Sequence, residues 1–297
     1  MIRRLLKKVF RPNLRVRPKF QILNILKYAC GLKSGPALTL SLNPNFEKTS
    51  AQTTISVIAL FLFICISIGW AHTATADTEL NVGAFSASAD GQTLPAGWEP
   101  ITFKKVSRHT AYNLVLDENI WVVKAHSIAS ASGLTCRIDI DPRQLPVLSW
   151  RWKVSGVLSQ GDVTRKDGDD YPARVYVTFV YDASKLKFID RAKYKAAHLI
   201  YGEYPPTGTI TYIWANKAPI GTVVPNPYSD RVIMIVLQSG SVRRMQWVQE
   251  ERNVYEDYRM AFGHEPPRIS GVALMTDTDD TGESVTAFYG DIVFSSK

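Results

Sequence analysis

Cysteine is scarce in this chain of 297 residues, which contains only three. Cys30 and Cys65 lie in the N-terminal part, so Cys136 is the one thiol that follows them. One thiol forms neither an internal disulfide nor a cysteine-based zinc site. Cys136 lies in an alternating run that is typical of a strand, and a buried, inert thiol is the ordinary interpretation.

The sequence also lacks the short motifs of several enzyme classes. It contains no G-x-S-x-G, H-E-x-x-H, Walker loop or G-x-G-x-x-G. These absences argue against serine hydrolases of the nucleophile-elbow type, zincins, P-loop NTPases and dinucleotide-binding enzymes. Four scattered histidines follow the N-terminal region and do not suggest a metal centre: His109, His126, His198 and His264.

The net charge of +8 is unevenly distributed along the chain. Residues 1–76 hold 11 of the 35 basic residues and one of the 27 acidic residues, which leaves a net charge of −2 on residues 77–297. A nearly neutral domain has no electrostatic footprint for a phosphate backbone. We therefore do not expect nucleic acid as a partner.

An uncharged apolar run covers residues 55–71, and the small-x-small sequence Ala74-Thr75-Ala76 follows it. A basic flank, an apolar core and such a site are typical of a secretory signal. The predicted organisation is a basic leader (1–54), a signal-peptide core or uncleaved transmembrane anchor (55–76), and one folded domain (77–297). The domain is expected to be exported, either to the periplasm or the extracellular space, or anchored in the inner membrane.

The leader is long for a signal peptide, and no methionine lies between Met1 and Met234 to provide another ATG start. We hypothesise that residues 1 to about 40 are a gene-model extension.

Short strands separated by turn signals dominate residues 77–297. The run 147–154 places Leu148, Trp150, Trp152 and Val154 on one face, as a period of two requires. The fold predicted is all-β: a jelly-roll-like antiparallel β-sandwich with two short inserted helices, at 190–201 and 253–262. The strands predicted are 101–106, 112–116, 120–125, 134–140, 147–154, 173–181, 209–215, 232–238, 245–250, 269–275 and 285–294.

Two loops are rich in aspartate: the first acidic loop (161–171) and the second acidic loop (276–283). Carboxylates beside a glycine-bearing turn suit a hard cation such as calcium, with Asp169, Asp170, Asp277 and Asp279 as candidate ligands. Neither loop has EF-hand spacing, and aspartate and glycine are also ordinary turn residues. A plain turn remains the alternative.

Paired carboxylates can also act as acid and base on a glycosidic bond. Asp169 and Glu250 are the candidates for that chemistry.

Aromatic side chains lie on or beside many of the predicted strands, and flat rings beside polar groups suit sugars. The candidate ligand-binding residues are Arg151, Arg174, Tyr176, Trp214 and Arg252. Trp214 is ambiguous because it shares its face with apolar residues, and Arg252 belongs to a segment that is equally well read as the solvated start of a helix capped by Asn253.

Several long motifs resemble the bacterial family called domain of unknown function 3047, over about residues 97–294. They include SWRWKV, GDVTRKDGDDYPARVYVTF, QWVQEERNVYEDYRMAFG and ISGVALMTDTDDTGES. The resemblance implies a secreted or envelope protein and assigns no catalytic residue. The opening LPAGW and closing YGDIVF segments are similar to the ends of jelly-roll carbohydrate-binding domains, a likeness of fold alone.

The function we expect is an extracytoplasmic domain that binds a saccharide or other envelope polymer, with a structural calcium as a further hypothesis. The alternatives are a glycan-cleaving enzyme that uses paired carboxylates and a non-catalytic envelope scaffold.

Overall fold

The computed structural model describes residues 78–88, 94–185, 191 and 206–297. The predicted leader (1–54) and signal or anchor segment (55–76) lie outside the described residues, as does nearly all of the helix predicted at 190–201. Within the described part of the chain, no helix has the length and apolar content needed to cross a membrane.

Thirteen strands and one α-helix make up the regular structure of the described residues, with three short 3-10 turns. In chain order the strands and the helix are β1 (Glu79–Gly83), β2 (Trp98–Ile101), β3 (Ala111–Asp117), β4 (Ile120–Ile128), β5 (Ala131–Ile140), β6 (Val147–Val154), β7 (Ala173–Phe179), β8 (Thr209–Ala215), β9 (Val223–Asn226), β10 (Ser229–Ser239), β11 (Val248–Asn253), α1 (Val254–Phe262), β12 (Ile269–Asp277) and β13 (Ser284–Ser295).

The strands form two sheets, which confirms the predicted all-β, jelly-roll-like sandwich. The six-stranded sheet has the order β11-β6-β13-β4-β3, with β1 also paired to β13. The seven-stranded sheet has the order β2-β5-β12-β7-β8-β10-β9. All pairs are antiparallel except β8 and β10, which are parallel. The sandwich is therefore antiparallel apart from this one pair.

The core lies between the sheets and is rich in large aromatic rings. The apolar face predicted for β6 is buried, and its Trp150 packs on Tyr212 of β8 with ring centroids 5.2 Å apart. Trp152 packs on Trp214 of β8 at 5.9 Å. Because side chains alternate along a strand, burying these rings turns residues such as Arg151 and Tyr176 outward.

The helix predicted at 253–262 is confirmed as α1. The Asn253 side chain accepts a hydrogen bond from the Glu256 backbone N–H at 3.0 Å and so caps the first turn. Gly263 ends the helix with φ of +74°, a left-handed conformation that glycine adopts without steric cost. Tyr258 anchors the helix on the core, since its ring packs against Phe179 at 4.3 Å.

Two predicted strands are wrong in position. The chain is extended at Trp98–Ile101 rather than at 101–106, where a turn follows. Pro100 argued against a strand there, because proline has no N–H to donate within a sheet. However, β2 is an edge strand, where that N–H would face solvent. The strand predicted at 245–250 lies at Val248–Asn253, because Met245 has φ of +59° and lies in a turn.

Candidate functional site

The two acidic loops meet at one end of the seven-stranded sheet. The first loop leads into β7 and the second leaves β12, and these strands are antiparallel neighbours with Arg174 opposite Met275. The start of one strand and the end of the other therefore lie at the same edge.

Backbone-to-carboxylate hydrogen bonds join the loops. The Tyr171 N–H donates to Asp277 Oδ1 at 3.2 Å, and the Thr281 N–H donates to Asp170 Oδ2 at 2.6 Å. Glu283 accepts the N–H groups of Ser159 and Gln160, both at 3.0 Å. Burial alone raises the pKa of Glu283, but these hydrogen bonds outweigh it and lower the pKa. The loops thus form one cross-linked unit.

Arg174 lies at the centre of this unit and is only 3% exposed. Its Nε donates to Asp277 Oδ1 at 3.0 Å. Its Nη2 is ion-paired with Asp277 Oδ2 and also donates to the Asp169 backbone carbonyl at 2.8 Å. The guanidinium also lies over the Tyr171 ring at 4.5 Å. A buried guanidinium with two carboxylate neighbours holds both loops in place, because each partner would otherwise be an unpaired buried charge.

Three carboxylates of the two loops form a tight cluster. One carboxylate oxygen each from Asp170, Asp277 and Asp279 lies within 4.8 Å of the others. Asp170 is fully buried, and its Oδ1 has no hydrogen-bond partner among the described residues. The donors are all hard oxygens, the type that calcium and magnesium take in proteins.

Two aspartates at the exposed end of the second acidic loop have raised pKa values. Burial, followed by the charge of Asp170, raises the pKa of Asp279. Desolvation and the charges of Asp170, Asp279 and Asp169 raise the pKa of Asp280 to about 6. Asp280 therefore exchanges a proton close to neutral pH.

A groove with a cavity of about 530 Å³ lies beside this cluster, on the face of the seven-stranded sheet that is turned away from the other sheet. Polar groups and rings share its lining: Phe103, Asp169, Arg174, Tyr176, Asn226, Tyr228, Met275, Asp277, Asp279 and Asp280 are among the residues that form it.

Another wall of the groove is the end of β9 and the turn between β9 and β10, which contact the acidic loops. Asn226 donates its Nδ2 to both carboxylate oxygens of Asp169, each at 2.9 Å. Tyr228 is 58% exposed, and its hydroxyl donates to the Lys166 carbonyl at 3.0 Å. The Lys166 ammonium lies 5.3 Å from the centre of the Tyr228 ring. The groove thus pairs an accessible ring with fixed hydrogen-bonding groups.

Six of the predicted site residues come together here: Asp169, Asp170, Arg174, Tyr176, Asp277 and Asp279. Arg151 does not join them, because β6 belongs to the other sheet and Arg151 points away from the core on that side. There its guanidinium lies 4.5 Å over the Trp247 ring, in a separate cavity of about 290 Å³.

Two further predicted ligand-binding residues have structural partners elsewhere. Trp214 is fully buried in the core, and its Nε1 donates to the Gly240 carbonyl at 3.0 Å. Arg252 is ion-paired with Asp257 of α1, which also accepts the Tyr212 hydroxyl at 2.7 Å. Both side chains hold the fold at positions outside the groove.

Glu250, the candidate partner of Asp169 in catalysis, lies on β11 outside the groove. Its Oε1 accepts hydrogen bonds from Trp152 Nε1 at 3.1 Å and Gln238 Nε2 at 2.8 Å. Burial raises its pKa despite these bonds. The structure does not bring Glu250 and Asp169 into one cavity.

The sequence reasoning missed Asn226, Tyr228 and Phe103. Asn226 and Tyr228 belong to the run Pro225-Asn226-Pro227-Tyr228, whose prolines mark a turn that presents an aromatic residue. That signal was available, but nothing in the sequence indicates that this turn contacts the acidic loops.

Among curated proteins, none matches the sequence significantly. Several solved structures are similar in fold. The family 11 carbohydrate-binding module of Lic26A-Cel5E from Clostridium thermocellum has 9% identity and a TM-score of 0.35, and the match covers 73% of this chain and 94% of the module. The family 29 module from Piromyces equi has 8% identity and a TM-score of 0.30, with 75% and 92% covered.

An enzyme is also among these similar structures. The family 12 xyloglucanase from Bacillus licheniformis has 10% identity and a TM-score of 0.35, with 74% of this chain and 100% of that one covered. Such low identities and TM-scores do not indicate what this chain binds or cleaves.

The sequence itself matches the model of one protein family over about two thirds of the chain. Residues 96–293, which include both acidic loops and the groove, match the family described as Protein of unknown function (DUF3047). This chain belongs to the DUF3047 family.

Proposed function

We propose that this chain is an exported domain that binds a saccharide or another polymer of the cell envelope, and that the ligand occupies the groove beside the acidic loops. The observation that carries the proposal is the position of Tyr228. Its exposed ring borders a cavity whose lining combines carboxylate, amide and guanidinium groups with apolar and aromatic side chains.

The chemistry of the groove suits a sugar in two ways. An accessible aromatic ring offers the apolar face on which the C–H groups of a pyranose pack. Carboxylate and amide oxygens accept hydrogen bonds from sugar hydroxyls, and the hydrogen bonds to Asp169 and Asp277 hold their carboxylates in place. Groups that are fixed before binding lose little entropy when the ligand arrives.

Export remains part of the proposal because the apolar run at 55–71 and the site ending at Ala76 precede the sandwich. Cell fractionation with an antibody to the folded domain tests this part. The expected result is the domain in the periplasm, in the medium or on the outer side of the inner membrane. Full-length protein in the cytosolic fraction would contradict it.

A glycan array tests the binding activity directly. The full-length chain, kept in mild detergent because of its apolar segment, is applied to bacterial envelope glycans with calcium and with chelator. Selective binding that is weaker in Tyr228→Ala supports the proposal. Absence of binding under both conditions counts against it and favours the envelope-scaffold alternative.

Glycan cleavage is the second candidate, and one observation favours it. Asp280 lies in the groove together with the carboxylates of Asp169 and Asp279, so one cavity holds the pair of carboxylates that glycoside cleavage needs. Turnover of an array-positive glycan, abolished by Asp280→Asn with binding retained, would establish an enzyme. Binding without turnover leaves the binding domain as the function.

A further inference from the structure

We infer that Asp170, Asp277 and Asp279 form a calcium site at the end of the groove. The inference does not depend on saccharide binding, because it concerns carboxylates that face one another whether or not a ligand lies in the groove. It narrows the four candidate ligands of the sequence analysis to three.

The unpartnered oxygen of Asp170 is the first reason. A buried carboxylate oxygen that accepts no hydrogen bond is costly, because burial removes the water that would otherwise solvate it. Oδ2 of the same carboxylate accepts a hydrogen bond from the Thr281 N–H, so Oδ1 is the oxygen that lacks a partner. A cation within the cluster would satisfy that oxygen.

The spacing of the ligand atoms is the second reason. Calcium takes oxygen ligands at about 2.3–2.6 Å, so two of its ligands lie at most about 5.2 Å apart. One oxygen from each of the three aspartates lies within 4.8 Å of the other two, which is inside that limit. The cluster therefore admits calcium without rearrangement. Magnesium demands near-ideal octahedral geometry and usually keeps several waters, so a cluster of protein carboxylates suits it less well.

Charge is the third reason. The groove end contains the carboxylates of Asp169, Asp170, Asp277, Asp279 and Asp280. Among the described residues, Arg174 is the buried cation that contacts these carboxylates, and it forms ion pairs with Asp169 and Asp277. A carboxylate has about four lone-pair sites, so Asp277 can accept from Arg174 and still ligate an ion. A divalent cation would reduce the remaining negative charge.

Asp169 is left out of the ligand set because its carboxylate oxygens are not among those that lie within 4.8 Å of one another. Both of its oxygens accept from Asn226 at 2.9 Å, which places its carboxylate in the wall of the groove. The ion would link the β6–β7 connection to the β12–β13 connection through Asp170 on one side and Asp277 and Asp279 on the other.

The test uses the full-length chain in mild detergent, stripped of metal with a chelating resin. Calcium is titrated by calorimetry, and the melting temperature is followed with calcium or magnesium at equal concentration. We expect one calcium per chain. At a hundredfold excess over the dissociation constant, a rise in melting temperature of about 5–10 °C follows for a domain of this size. We expect magnesium to give a smaller rise.

Asp279→Asn is the informative variant, because Asp279 is exposed and its replacement should leave the fold intact, which far-UV circular dichroism checks. We expect a calcium affinity at least tenfold weaker. Asp167→Asn is the matched control, since Asp167 lies in the first acidic loop but pairs with Arg165 in solvent. It should bind calcium as the wild type does.

Any of three results overturns the inference. The first is the absence of a heat of calcium binding together with an unchanged melting temperature. The others are an Asp167→Asn variant whose calcium affinity falls as much as that of Asp279→Asn, and magnesium binding as tight as calcium binding. None of these measurements involves a saccharide. A negative glycan array therefore leaves the calcium site standing, and a failed calcium titration leaves the saccharide groove standing.

Discussion

The Arg174 guanidinium and the Asp277 carboxylate form a buried ion pair between neighbouring strands, with Nε 3.0 Å from Oδ1 and both residues at most 3% exposed. Through Asp277 the pair fixes the second acidic loop, and through the Asp169 carbonyl it fixes the first. This pair is therefore a central one among the interactions that set the geometry of the groove.

Removing the charge of Asp277 should destabilise the protein strongly. In Asp277→Asn the Arg174 charge stays buried and, among the described residues, keeps only Asp169, at 3.5 Å, as a carboxylate neighbour. Breaking such a buried pair costs about 3–5 kcal/mol. Urea denaturation measures the change in the free energy of unfolding. Asp139→Asn is the control, because its pair with Arg268 is exposed and worth at most about 1 kcal/mol. Similar losses in the two variants would contradict the central role of the buried pair.

Asp117 should support stability above acidic pH. It accepts hydrogen bonds from Lys153 Nζ at 2.5 Å and Trp247 Nε1 at 2.7 Å. Burial raises its pKa, but these two bonds outweigh burial, so the net shift is downward. The contribution is present above the unfolded-state pKa, about 3.9, and is lost as pH falls through the lower folded-state pKa.

Asp117→Asn should therefore lose about 2 kcal/mol at pH 7, within the range for a hydrogen bond to a charged group, and lose less at pH 3. Urea denaturation between pH 2 and 7 measures this. Glu118→Gln, at an exposed position next in the chain, should behave as the wild type. An equal loss at every pH would show that the Asp117 charge is not the cause.

Glu250 should have the opposite pH dependence. Burial raises its pKa, so its contribution is greatest below the unfolded-state value of about 4.3 and declines as pH rises through the folded-state pKa. Glu250→Gln keeps an oxygen that accepts from Trp152 and Gln238 but carries no charge. We expect the variant to be at least as stable as the wild type at pH 7, with the advantage shrinking toward pH 4.

Thermal denaturation across this pH range measures the Glu250 effect, with the exposed neighbour replaced in Glu251→Gln as control. A Glu250→Gln variant that is strongly destabilised at pH 7 would mean that the ionised carboxylate is needed between Trp152 and Gln238.

The ring of Tyr228 should contribute directly to saccharide affinity. Ring packing is worth about 0.5–1.5 kcal/mol, so Tyr228→Ala should weaken binding of the array-positive glycan about 2–12-fold. Tyr228→Phe keeps the ring and should lose less. Calorimetry measures both, with Tyr255→Ala as the control because Tyr255 does not line the groove. Unchanged affinity in Tyr228→Ala would place the ligand elsewhere.

Local patterns predicted the strands well where one face is buried. The bounds 147–154 and 209–215 agree with β6 and β8, because a buried face imposes a period of two or a continuous apolar run on the sequence. The edge strands β2 and β11 were harder, because β2 contains Pro100 and three of the six residues of β11 are charged. A strand with little buried surface shows only a weak hydrophobic pattern in the sequence.

The candidate site was predicted in part, for a related reason. Aspartates in turns and arginines on outward faces could be recognised from the sequence as polar groups in need of partners. Arg151, Arg174 and Arg252 looked alike at that level, yet Arg151 lies over Trp247, Arg174 is buried between carboxylates, and Arg252 pairs with Asp257.

By itself, the amino-acid sequence determined the class of fold and the presence of two acidic turns, since alternation, turn residues and charge are local properties that need no partner. Only the tertiary structure decided that Asp170, Asp277 and Asp279 face one another while Glu250 lies apart from them. Strand order and sheet pairing bring residues more than 100 positions apart into contact, and no local pattern encodes that distance.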